Sequence, residues 1–196
     1  MDKSFNLYLQ ELLEWNKKFN LTAITDPEDI KLKHFTDSLT LEQVVPLDNQ
    51  TIVDVGTGGG FPGLPLKIKY PNLKLTLIEA TRKKTEFLKH IIEVYKLEGV
   101  EVIWGRAEEV AKEKRNHYDL AVARAVAKLD KLTQYCLPLV KPGGLFVAYK
   151  GQEVEAEVKA AEQTIRQFNG TVNKIVKIKL TGSDISRSLV IIKKSI

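Results

Sequence analysis

The run Ile52-Val53-Asp54-Val55-Gly56-Thr57-Gly58-Gly59-Gly60 carries the most chemically specific pattern in the chain. An apolar segment that ends in glycines is a strand turning towards a helix. Glycine is required there when a ligand passes so close to the backbone that a Cβ would collide. Two adenosine cofactors use such a turn. The dinucleotide fingerprint G-x-G-x-x-G can begin at Gly56 and Gly58, but Phe61 stands where its third glycine belongs. Pro62 and Pro65 remove amide donors from the helix end that would receive a pyrophosphate, and Asp54 would set a carboxylate beside it. The same carboxylate suits the cationic sulfonium and amino groups of S-adenosylmethionine, directly or through water. Glu79 closes the next apolar run, where a carboxylate accepts both hydroxyls of an adenosine ribose in either cofactor. Ala107-Glu108 follow the third run, where adenine would lie in such a sheet. Phe61, the two prolines and Asp54 therefore favour S-adenosylmethionine over a nicotinamide dinucleotide, with Gly56, Gly58, Gly60 and Glu79 as further candidate cofactor contacts. A glycine turn that serves only the fold is the alternative.

These residues need elements to position them. After residue 50 the hydrophobic period alternates between strand and helix. Strands are expected over Thr51–Val55, Leu73–Ala80, Val100–Trp104, Tyr118–Ala123, Leu145–Tyr149, Val172–Leu180 and Ser188–Lys193. Helices are expected from the glycine loop to Tyr70, over Thr81–Glu98 with Gly99 closing it, over Leu129–Val140, and over Val154–Phe168. Alternation of this kind implies an α/β fold with a mostly parallel sheet. The last two strands are joined too closely for a crossover and must be antiparallel. A doubly wound, Rossmann-like, seven-stranded sheet ending in a hairpin is common among class I S-adenosylmethionine-dependent methyltransferases, with ligand outside the carboxyl ends of the strands.

The first quarter differs. Phe5, Tyr8, Leu9, Leu12 and Phe19 recur as one face of an amphipathic helix. A second helix should start at Asp26, which can cap it, with Pro27 in the first turn and Glu28 and Asp29 at the positive end of the dipole. We expect residues 1–48 to form a helical extension packed on a body of residues 49–196, one compact domain overall. Asp2, Glu11 and Glu14 interrupt the apolar pattern of this N-terminus, which argues against a secretory leader. No stretch approaches the length of a membrane span. The single cysteine, Cys136, excludes an internal disulfide, reads as a packed thiol, and fits a cytoplasmic protein. Metal-ligand spacing is absent.

The net charge of +5 averages two opposite parts. Residues 1–50 hold five Lys and Arg against nine Asp and Glu, whereas every later quarter is positive. A basic body fits a polyanionic ligand such as nucleic acid, against the blander reading of a solvated lysine-rich surface.

The run Val53-Asp54-Val55-Gly56-Thr57-Gly58-Gly59-Gly60-Phe61-Pro62-Gly63-Leu64-Pro65 closely resembles the signature of the bacterial small-subunit ribosomal RNA guanine-N7 methyltransferases, also called the glucose-inhibited division protein B family. Asn20-Leu21-Thr22 and His34-Phe35-Thr36-Asp37-Ser38-Leu39 are similar to its N-terminal motifs. Arg82-Lys83-Lys84, Arg106-Ala107-Glu108, Ala123-Arg124-Ala125, Lys150-Gly151 and Arg187 are similar to later ones, so the likeness covers essentially the whole chain. The resemblance implies methyl transfer from S-adenosylmethionine to N7 of a guanine in the 530 loop of 16S ribosomal RNA, by a protein we expect to be monomeric. It implies cofactor contacts at Gly56, Phe61, Glu79, Ala80, Thr81, Ala107, Glu108 and Arg124.

N7 carries a free lone pair, so no general base is needed and none of the histidines has to be one. Alignment is the task, and it can supply roughly 7–11 kcal/mol of barrier reduction. An arginine gripping both O6 and N7 would block the reacting atom. Arg124 must therefore act as a positioning group, on the cofactor carboxylate, on O6 alone or on a phosphate. N7 is inaccessible in the deep groove of A-form RNA, so an unpaired or flipped base is expected. Phe61 or Phe35 could stack on it. Lys83, Lys84, Lys150 and Arg187 would contact phosphates, with Lys128 and Lys131 behind them, and binding should weaken steeply with salt. His34 and Asp37 either form a helix-end hydrogen bond or touch the substrate. The competing readings are a methyltransferase with another substrate and a non-catalytic nucleotide-binding module.

Overall fold

The computed structural model describes residues 3–196, which leaves Met1 and Asp2 of the N-terminal pattern outside the described residues. Strands β1 (Thr51–Val55), β2 (Lys74–Glu79), β3 (Val100–Trp104), β4 (Tyr118–Arg124), β5 (Val140–Lys150), β6 (Gly170–Lys179) and β7 (Ser186–Lys194) form one sheet in the order β3-β2-β1-β4-β5-β7-β6. β1 to β5 pair in parallel, and β7 runs antiparallel between β5 and β6. The inner strands are apolar nearly throughout because both faces are covered. The strand order reverses between β1 and β4, which opens a crevice at their carboxyl ends.

Helices α4 (Gly63–Lys69) and α5 (Arg82–Val94) cover one face of the sheet, and α6 (Ala107–Glu113), α7 (Leu129–Cys136) and α8 (Glu155–Gln167) cover the other. Strand alternation sorts β1 between the two cores. Ile52 joins the core under α4 and α5, while Val53 and Val55 join the opposite one with the fully buried Cys136. Asp54 therefore points to the same side as Ile52.

The N-terminal quarter packs on that side as well. Helix α1 (Asn6–Asn16) buries Tyr8, Leu9 and Leu12, and the core it joins includes Leu64, Phe87 and Ile91 from α4 and α5. Helix α2 (Pro27–Ile30) starts as its sequence predicts, the Asp26 carboxylate accepting from the Asp29 N–H at 2.9 Å. It continues through a π-helical stretch, residues 31–36, into α3 (Asp37–Leu39).

Three expectations need correction. Helix α5 stops at Val94, not Glu98, because Lys96 takes a left-handed φ of 50° and the Leu97 N–H turns back to the Ile92 carbonyl. Gly99 leads into β3 and does not cap the helix. Helix α6 follows β3, although its seven residues are mostly charged and left no clear stripe. Helix α7 ends at Cys136, and β5 begins at Val140, its Pro142-Gly143-Gly144 forming an irregularity between two stretches paired with β4.

Candidate cofactor and substrate site

Two cavities meet at Gly56 on the carboxyl edge of the sheet. The larger, about 530 Å³, lies between the glycine loop and the N-terminal helices, and its walls include Thr22, His34, Gly58, Phe61, Lys84 and Arg124. The smaller, about 220 Å³, is mostly apolar and includes Ile78, Ala80, Ala107, Glu108, Val126 and Tyr135. Gly56 has a φ of +69°, and a methyl built on it would come within 2.6 Å of a Val126 methyl, so this junction admits no side chain. Glu79 lies beside it, 7% exposed. Its carboxylate accepts from the Gly58 N–H at 3.0 Å and the Thr81 N–H at 2.8 Å. Each oxygen keeps acceptor capacity for a further hydroxyl.

Asp54 faces neither cavity. It is fully buried beneath the glycine turn, where one carboxylate oxygen accepts from the Thr57 hydroxyl (2.7 Å) and the Gly63 N–H (2.8 Å). Its other oxygen is buried without a hydrogen bond. Burial outweighs both hydrogen bonds and pushes the Asp54 pKa up to about 6. Its geometry makes it the post on which the turn is built. Because the folded pKa lies above the unfolded one, the ionisation cost is absent below about pH 4 and grows as the pH rises towards 6. Asp54→Asn should therefore gain stability relative to the parent as the pH rises from 4 to 7, by roughly 3 kcal/mol at most. Parallel thermal melts across that range would show it; a constant difference would disprove it.

Arg124 ends β4 and is met from the extension. Its Nη1 donates to Asp37 Oδ2 at 2.9 Å and to the Lys33 and His34 carbonyls at 3.1 and 3.4 Å. The π-helical stretch presents those carbonyls, and such segments recur at functional sites. Asp37 is 1% exposed and also accepts from Arg187 Nε at 3.3 Å, so one buried carboxylate ties β4 and β7 to α3. His34 Nδ1 lies 3.3 Å from Arg124 Nη2 and His34 Nε2 lies 2.8 Å from the Thr22 hydroxyl. Nδ1 faces a donor, which assigns the proton to Nε2. Burial and the adjacent guanidinium depress the His34 pKa to about 4, so the ring is neutral at physiological pH.

Several expected RNA contacts are placed differently. Phe35 is fully buried. Phe61 is 5% exposed and lies between the Tyr8 ring (5.3 Å between centroids, 15° between planes) and the His34 ring (4.7 Å, 20°). Both faces are taken, so neither phenylalanine can stack on a base. The Lys150 ammonium is spent inside the protein, on the Ala127 carbonyl at 2.8 Å and Glu157 at 2.7 Å. It holds the loop after β4 and is not free for a phosphate. Lys83 lies over the Phe19 ring at 5.0 Å, and Lys84 lines the larger cavity. Sequence reasoning missed Thr22 as the partner of His34, Asp37 as the partner of both arginines, and Tyr8 under the loop. Only the Asn20-Leu21-Thr22 and His34-to-Leu39 motifs could have pointed there.

A family profile described as "GidB: rRNA small subunit methyltransferase G" matches residues 1–190. The chain belongs to this family. Among methyltransferase G proteins it is 48% identical over 190 residues to that of Alkaliphilus metalliredigens (strain QYMF), covering 95% of this chain and 80% of the relative. It is 45% identical over 196 residues to that of Acetivibrio thermocellus, covering 99% and 80%. The structure of M. jannaschii TYW2 in complex with AdoMet superposes with a TM-score of 0.64 at 19% identity, over 82% of this chain and 77% of that one. The fold of this methyltransferase G member is thus the class I S-adenosylmethionine-dependent methyltransferase fold.

The residues present suit that cofactor. The apolar slot beside Ala107 would take adenine, and the Glu79 carboxylate would take the ribose hydroxyls. The bare backbone at Gly56 would let the chain of the amino acid pass into the larger cavity. Phe61, expected as a cofactor contact, offers only its edge.

Proposed function

We propose that the protein transfers a methyl group from S-adenosylmethionine to N7 of a guanine in the 530 loop of 16S ribosomal RNA, acting in the cytoplasm as a monomer on the RNA or the small subunit. Membership of the methyltransferase G family supports the ribosomal RNA as substrate. One observation supports the acceptor atom: among the described residues, the proton acceptors lining the larger cavity are already committed. His34 Nδ1 faces a guanidinium, and Asp37 is bound by two arginines. An acceptor that had to lose a proton would need a base that this cavity does not offer, whereas N7 brings its own lone pair. S-adenosylmethionine would supply an electrophilic methyl on a cationic sulfur, so such a lone pair can bond to the methyl carbon while the sulfur keeps the C–S electron pair and leaves as a neutral thioether, without any proton transfer.

What remains for the chain is holding and aligning. Glu79 and the slot beside Ala107 fix the nucleoside, and the glycine loop leaves the reacting centre open to the larger cavity. Arg124 keeps its place through Asp37, with His34 and the Phe61 ring beside it on the same wall. The exposed Lys83, Lys128 and Lys131 would carry the RNA backbone to the crevice. No helix among the described residues is long and apolar enough to cross a membrane.

The test is direct. 16S ribosomal RNA, or small subunits lacking the modification, incubated with protein and cofactor should gain one 7-methylguanosine. Mass-spectrometric mapping should place it in the 530 loop. Methylation at another atom, or none on either substrate, would overturn the reading.

A further inference from the structure

We propose that Tyr8 of α1 is a positioning residue for the cofactor loop, holding the Gly59 carbonyl so that the glycine turn keeps the shape the cofactor needs. This rests on the reading of that loop as the cofactor site. Tyr8 has no exposed surface, and its hydroxyl donates to the Gly59 carbonyl at 2.6 Å across 51 residues of sequence. Its ring stacks on Phe61, so it grips the turn at two points, Gly59 and Phe61. The hydroxyl occupies space left by the next residue: a Cβ on Gly60 would overlap it.

The other end of the strut is anchored as well. The Tyr8 N–H donates to the Tyr95 hydroxyl of the segment after α5 at 2.8 Å, and that hydroxyl donates to the Ser4 carbonyl at 2.6 Å. Helix α1 is thus fixed to the body before it reaches the loop. Burial raises the ionisation of the Tyr8 hydroxyl well above its usual range, so it remains a donor at any working pH. The loop secures itself from below through Asp54 and from the side through Glu79. Tyr8 supplies the third support, and it comes from outside the α/β body. The N-terminal helix is in this sense part of the cofactor site.

S-Adenosylhomocysteine binding, measured by calorimetry without RNA, isolates this role from the identity of the methyl acceptor. Tyr8→Phe keeps the ring stack, removes the hydrogen bond and leaves a buried carbonyl unpaired, and should weaken binding about tenfold. At saturating cofactor its KM for RNA should match the parent's. Tyr95→Phe loosens the same helix without touching the loop and should bind S-adenosylhomocysteine as the parent does, even where its melting temperature falls as far. Parental affinity in Tyr8→Phe, or equal weakening in both variants, would overturn the proposal. A parent protein that takes up no S-adenosylhomocysteine would bring down the cofactor reading and this proposal together, a result plainly different from the other two.

Discussion

Arg124→Ala is expected to lower methyl transfer more than tenfold and to lower the melting temperature as well. The two losses have different origins. The guanidinium is only 12% exposed and is the shorter of the two ion-pair partners of Asp37, whose side chain is 2% exposed. Removing one partner of a buried pair costs about 3–5 kcal/mol, because the other charge stays buried. Arg187 remains on Asp37, which places the expected cost at the low end, roughly 6–12 °C for a chain of this size. The second loss is functional, because the wall of the larger cavity loses the group that orders His34 and faces the Phe61 ring at 5.4 Å. Arg124→Ala with Asp37→Ala separates the two. The double variant removes the stranded charge, so its stability should recover in part while methyl transfer stays low. Recovery of both would reduce Arg124 to a structural prop, and unchanged turnover in the single variant would remove it from the site altogether.

The second large effect distinguishes two adjacent glycines. Gly60→Ala should destabilise the fold and abolish measurable S-adenosylhomocysteine binding, while Gly59→Ala should be nearly silent in both. Gly60 has a φ of +93° and its new methyl would overlap the Tyr8 hydroxyl and come within 2.6 Å of a Leu64 methyl. Backbone strain of about 1–3 kcal/mol adds to overpacking of similar size, and both fall on the turn itself. A methyl on Gly59 meets Phe61 at 3.4 Å and Leu12 at 3.5 Å, which is ordinary contact. Calorimetry with S-adenosylhomocysteine and thermal melts on the two variants provide the comparison. Equal tolerance at both positions would mean that the loop shape described here is not the one that binds.

What could be read from the sequence follows from how local each signal is. β1 and β3 are short apolar runs bounded by glycine or by turns, and their limits agree with the structure to the residue. The closing hairpin followed from loop length alone, and the start of α2 from Asp26 and Pro27. The glycine loop was legible because its chemistry lies within a dozen consecutive residues. The rest of the site was not, because it is made of pairs that sequence does not join. Asp37 meets Arg124 and Arg187 at separations of 87 and 150 residues, and nothing in the composition links them. Lys150 reads as a phosphate contact from the Lys150-Gly151 motif on a basic body, yet Glu157 in the first turn of α8 takes its charge. Asp54 sits at the end of a strand like a cofactor ligand. Strand alternation turned it inward, towards the Thr57 hydroxyl and the Gly63 N–H.

The anchorage of Asp37 also sets an order on how the protein comes into being. The carboxylate leaves the ribosome first, its first arginine follows 87 residues later, and its second 150 residues after the carboxylate. A nascent chain that has already exposed the whole glycine loop still lacks the strand that delivers Arg187. Contacts of such long sequence separation close late in folding. Assembly of the larger cavity therefore waits until β7 and Arg187 have been made, long after the glycine loop on its other wall.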